Sequence, residues 1–108
     1  MTPEEKALSL FRQPPRHLNC AQTICATIDR DDLVENMQNS ARGQAPGGTC
    51  GALFAAMTLA PERAESLRRA FEHTLGATTC AELKSRSNPC PRCVLTAVRL
   101  LTQTEGQS

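Results

Sequence analysis

A chain of 108 residues is long enough for one hydrophobic core and too short for two, so a single domain is expected. A formal charge of +1, ten scattered arginines, no Trp or Tyr and three Phe offer neither a field for polyanions nor a stacking platform for bases, which sets nucleic acid aside as a partner. The longest apolar run, from about Gly51 to Ala60, is far short of the roughly twenty residues that span a bilayer, and the polar start Thr2-Pro3-Glu4-Glu5-Lys6 does not read as a signal peptide. No membrane association and a cytoplasmic location are therefore expected. In reducing cytosol the six cysteines point to metal or redox chemistry before disulfides, with plain core packing as the competing use of each.

Thr2-Pro3-Glu4-Glu5 opens a first helix, with Thr2 as cap, Pro3 at the first helical position and Glu5 closing a capping box. It is expected to run to Pro14-Pro15. Ala7, Leu8, Leu10 and Phe11 form one stripe, which makes residues 1–16 an amphipathic arm packed on the core or on a partner. Asn19-Cys20-Ala21-Gln22 repeats the device with a cysteine behind the cap and predicts a helix through about Ile28. Cys25, five residues beyond Cys20 and set among Ile24, Ala26 and Ile28, reads as core. Asp29 to Asp32 turn the chain into another helix near Asp31, with Leu33, Val34 and Met37 on its buried side.

Ser40 to Gly48 is a Gly/Pro-rich loop, too short to link domains. Gly47-Gly48-Thr49-Cys50-Gly51 follows no strand and precedes no Lys-Ser/Thr pair, so it is not read as a phosphate loop. The run from Gly51 to Leu59 is apolar on all sides and predicts a central core helix, with Gly51 and Ala55, and Ala52 and Ala56, allowing close approach of neighbours. Thr49 is its expected cap. Cys50 then falls in the first turn, where free amides and the positive dipole end favour a thiolate.

Pro61-Glu62 opens a helix with Ala64, Leu67, Ala70, Phe71 and Leu75 on one face and Gly76 as its stop. His73, in its last turn, reads as a solvated or capping cation. His17, in the loop before Cys20, is a weak candidate to tune or replace a ligand. Thr79-Cys80-Ala81-Glu82 repeats the cap-and-cysteine device, and Asn88-Pro89-Cys90 gives a fourth case. The last helix carries Val94, Leu95, Ala97, Val98, Leu100 and Leu101 before a polar tail at 105–108. No run alternates with period two, so the chain is read as an all-α bundle of five to six short helices around a buried central one, its main domain spanning residues 17–104.

Cys20, Cys50, Cys80 and Cys90 thus all lie at expected helix starts, a position for which cysteine has no special liking. Thirty residues separate Cys20 from Cys50 and Cys50 from Cys80, enough to run out along one helix and back along another, so antiparallel packing would return these residues to one end of the bundle. Helix N-terminal amides would offset the repulsion of gathered thiolates, the environment that suits an anionic iron–sulfur cluster; a four-thiolate zinc site would use the same ligands. Cys90-Pro91-Arg92-Cys93 offers a third use as a dithiol, with Cys90 as the attacking thiolate and Cys93 as its partner.

Asn19-Cys20-Ala21-Gln22, Gly48-Thr49-Cys50-Gly51-Ala52-Leu53, Thr79-Cys80-Ala81-Glu82-Leu83 and Cys90-Pro91-Arg92-Cys93-Val94 together resemble the redox-active protein family with the C_GCAxxG_C_C cysteine pattern, over about Asn19 to Val98. A related module accompanies an iron–sulfur centre and haem in split-Soret cytochromes; the haem part is absent here. Ala55 stands where the family motif has its last glycine. The resemblance implies Cys20, Cys50, Cys80 and Cys90 as cluster or metal ligands, with Cys93 a substitute for Cys90. The leading expectation is an electron carrier rather than an enzyme: a 2Fe–2S iron–sulfur cluster on those four cysteines, passing electrons to a redox partner protein. A thiol–disulfide oxidoreductase or redox sensor using Cys90 and Cys93, and a structural zinc-binding interaction module, are the alternatives. A second copy of the chain, as a homodimer, is the further candidate partner.

Overall fold

In the computed structural model the chain is described over residues 2–39, 45–88 and 90–102. Helix α1, Pro3–Leu10, starts as its sequence directs: the Glu5 amide donates to the Thr2 hydroxyl at 3.1 Å, and the Thr2 amide donates to the Glu5 carboxylate at 2.8 Å. It ends well before the expected diproline. Arg12 takes φ 56° and donates its N–H to the Leu18 carbonyl at 2.9 Å, which folds residues 11–18 into a tight loop and sets Leu18 beside Phe11. Ala7 and Phe11 are buried, but Leu8 is 46% exposed, so the apolar stripe is narrower than the sequence suggests.

Helix α2, Cys20–Thr27, also begins on a closed capping box, with the Gln22 amide donating to Asn19 Oδ1 at 2.7 Å and the Asn19 amide donating to Gln22 Oε1 at 3.0 Å. The helix expected from Asp31 is instead a pair of 3-10 turns, Asp31–Leu33 and Glu35–Met37. Side chains of the α2 start take the carbonyls that an α-helix would have used itself: Gln22 donates to Val34 O at 3.1 Å, and Asn19 Nδ2 donates to Met37 O and Gln38 O at 3.2 and 3.0 Å. Val34 and Met37 are still buried. Of the expected loop from Ser40, residues 40–44 lie outside the described residues; Pro46–Gly48 forms a 3-10 turn in which Gly47 and Gly48 adopt φ 71° and 73°.

Helix α3, Gly51–Leu59, is the buried rod, with Gly51, Ala52, Leu53, Ala55 and Ala56 inside. Helix α4, Ala64–Leu75, buries Leu67, Phe71 and Leu75 and stops at Gly76, whose φ of 86° suits the left-handed cap. Helix α5 is Cys80–Ser85 and helix α6 is Cys90–Thr102. The rod packs on α2, α4 and α6, while α1 lies on α6 and α2 and shares their core. Phe71, Ile24, Leu53, Leu83, Val94 and Val98 are its largest fully enclosed side chains, each contributing roughly 1.5–3 kcal/mol by burial. The fold is an all-α bundle of six α-helices, with isolated bridges and no strand among the described residues. None of its helices is long and apolar enough to cross a membrane.

Candidate functional site

Helices α2, α5 and α6 begin on Cys20, Cys80 and Cys90, as the sequence predicts. At the fourth start the register differs by one: Cys50 is itself the N-cap of α3, in place of Thr49. Thr49 is drawn into an antiparallel bridge with Thr79, and the Cys50 amide donates to the Thr78 carbonyl at 2.8 Å, so residue 50 stays outside the helix at φ −53°, ψ 130°. The same bridge sets the starts of α3 and α5 side by side.

The other caps are also refined. The Thr79 hydroxyl accepts the Glu82 amide at 3.3 Å, but Glu82 accepts the Thr79 hydroxyl at 2.9 Å instead of its backbone amide, so the expected box is not closed. Asn88 is buried and donates through Nδ2 to the Leu75 carbonyl at 3.0 Å, which ties the end of α4 to the start of α6. Its neighbour Pro89 lies outside the described residues.

Five of the six cysteines come to this pole. Cys20, Cys50, Cys80, Cys90 and Cys93 line one cavity of about 240 Å³, with Arg12, His17, Leu18, Asn19, Gly51, Leu83, Lys84 and Asn88 completing the wall. Cys20, Cys50 and Cys93 are buried, Cys80 and Cys90 half-buried, and all are free thiols. Cys93 is a full member of this wall, one turn into α6; its spacing from Cys90 is the signal that would have placed it there. Cys25 lies elsewhere, fully enclosed in the apolar core as expected. His17 reaches the wall, and His73 is exposed on α4. Among the described residues no three Cys, His, Asp or Glu side chains close on a single point that would hold one metal ion.

The electrostatics reverse one expectation. Burial pushes the Cys20 thiol up to about 11, and the neighbouring Cys50 and Cys90 add to the rise, against the Ala21 and Ala52 amides. Cys50 is pushed up further still, first because its S–H is given to the Cys93 sulfur and then by burial. The Leu53 and Ala52 amides face Cys50 and oppose that rise without closing a cap hydrogen bond. Desolvation and neighbouring sulfur therefore outweigh the helix dipole, and Cys50 is not the thiolate that its place at a helix start suggested. Cys93, whose sulfur accepts the hydrogen bond from the Cys50 S–H, is the thiol shifted down. Cys80 is raised by burial, with Lys84 one turn along α5 pulling it back. Cys20, Cys50 and Cys80 thus hold their protons more firmly than free thiols do.

Comparison of the chain with protein-family models, with curated proteins and with solved structures gave no match.

Proposed function

We propose that the protein is a small cytoplasmic redox carrier whose Cys20, Cys50, Cys80 and Cys90 hold an iron–sulfur cluster of the 2Fe–2S type and pass electrons to a partner oxidoreductase. The observation that carries this reading is the convergence of five thiols on one cavity whose wall, among the described residues, contains no carboxylate. A hard cation selects oxygen ligands, whereas an all-thiol wall selects zinc or iron–sulfur chemistry. An iron–sulfur cluster divides its thiolate ligands between two metal atoms, whereas a structural zinc takes all four itself.

When bound, the cluster supplies one-electron chemistry; the chain supplies its surroundings. The Ala21, Ala52 and Leu53 amides face Cys20 and Cys50 and are placed to donate to their sulfurs, which stabilises negative charge there. Cys20 and Cys50 are shielded from water, while Cys80 and Cys90 stand nearer the surface, on the side where an electron has the shortest way out. Cys93 is the substitute ligand for Cys90.

One observation supports a second reading, a thiol–disulfide function, and moves it from the Cys90–Cys93 pair: the thiol in hydrogen-bond contact with Cys93 is Cys50. Anaerobic purification separates the readings. Iron and acid-labile sulfide in equal amounts, visible absorption, and a paramagnetic signal on one-electron reduction are expected. Colourless protein that carries zinc would overturn the carrier in favour of a structural module, and metal-free protein with a Cys50–Cys93 disulfide would overturn it in favour of thiol exchange.

A further inference from the structure

Several of the described cations answer a carboxylate. Lys6 pairs with Asp29 at 2.8 Å, Arg16 with Asp31 at 3.2 Å and Arg30 with Asp32 at 3.0 Å; Arg68 and Arg69 pair with Glu65. Arg12, Lys84, Arg86 and Arg92 form no ion pair among the described residues, and of these four Arg12 and Lys84 line the thiol cavity. Their placement follows from local structure. The loop closed by the Arg12 N–H to Leu18 bond turns Arg16 toward Asp31 and leaves Arg12 over the Phe11 ring, 4.7 Å from its centroid, with His17 alongside at φ 49°. Lys84 stands one helical turn beyond Cys80, so its ammonium lies on the Cys80 side of α5.

We propose that the mouth of the cavity is a binding site for a small carboxylate-bearing anion, held by Arg12 and Lys84 with His17 beside them. Three features support it together: two cations with no carboxylate partner among the described residues, the positive ends of α2 and α6 at the same pole, and a wall whose described residues include no Asp or Glu. The site goes beyond the electron-carrier reading and stands whether the thiols behind it hold metal or not.

The cavity thiols themselves report the local field. In the reduced full-length chain, iodoacetate and iodoacetamide attack the same thiolate, each forming an S–C bond as iodide leaves, so the ratio of their rates is free of the thiol's own acidity and reads charge at the mouth. At low salt, peptide mapping should show the iodoacetate/iodoacetamide ratio at Cys80 and Cys90 raised roughly fivefold over that of N-acetylcysteinamide. High salt, or the double change Arg12→Gln with Lys84→Gln, should remove the increase, and Arg16→Gln, which only breaks a surface pair, should keep it. A second measurement uses the protein as purified, with any metal in place: calorimetric titration with malonate should give a saturable heat that the double variant loses and Arg16→Gln retains. A rate ratio equal to the reference thiol's, or a malonate response that is absent or unchanged in the double variant, overturns the proposal. Iron and sulfide content, assayed on the same samples, reports separately on the carrier reading.

Discussion

Helix α2 carries two cysteines five residues apart that belong to different regions of the molecule. Cys25 sits in the apolar interior with Ile24, Leu53, Phe71 and Val94, none of them more than 1% exposed, while Cys20 opens onto the thiol cavity. Burial pushes both thiols up to about 11, so neither enclosure nor acidity tells them apart. Their neighbours do. Cys20 feels Cys50, Cys90 and two helix-start amides, whereas the charges that act on Cys25 are the exposed Arg30 and Asp32. Company and not burial separates the two cysteines, and the same helix supplies one of each kind.

The sharpest way to break that contrast is by substitution at the two positions. Cys20→Ser or Cys50→Ser should bring the iron content of the anaerobically purified protein close to zero, while Cys25→Ala should leave it unchanged, at a cost of about 1 kcal/mol in urea unfolding for the lost volume. The interior has its own large lever. Phe71→Ala should cost roughly 3–5 kcal/mol of stability without lowering iron per folded chain, because Phe71 fills the core and does not line the cavity.

A pH scan of the metal-free, reduced chain probes both regions together. Cys20 and Cys25 are raised from an ordinary value near 9, so above pH 9 the unfolded thiols lose protons that the folded ones keep. Stability should fall as pH rises from 9 to 11, by about 2 kcal/mol for each of these two groups, with the raised Cys50 and Cys80 acting in the same sense. Cys93, shifted down, acts in the opposite sense. With metal bound at Cys20, only the Cys25 share should remain, which would separate the two regions in a single titration. A smaller effect is expected at the end of α4: Gly76→Ala, forced into φ 86°, should lower stability by about 1 kcal/mol in thermal melts.

Much of this architecture was legible from local chemistry. Caps at Thr2, Asn19 and Thr79 and the stop at Gly76 fix helix ends through bonds made within four residues, and sequence reasoning places them correctly. The gathering of Cys20, Cys50 and Cys80 was legible too, from thirty-residue spacing and antiparallel packing, and that of Cys90 from its place at a fourth helix start. What escaped depends on partners distant in the chain. The segment after Asp31 becomes 3-10 turns because Asn19 and Gln22 take its carbonyls, and Cys50 becomes a cap because Thr49 pairs with Thr79. Arg12 and Lys84 look like any surface cations until the fold sets both on the wall of the thiol cavity. The protonation of Cys50 was misjudged for a similar reason, since the sequence displays the helix start and conceals the desolvation.

The central claim is spatial, that five thiols face one another and the sixth does not, and thiol cross-linking of the reduced protein tests it most directly. A short bis-alkylating reagent, followed by peptide mapping under native conditions, should link pairs drawn only from Cys20, Cys50, Cys80, Cys90 and Cys93 and leave Cys25 unmodified. Cross-links to Cys25, or folded protein that yields none among the five, would contradict the account.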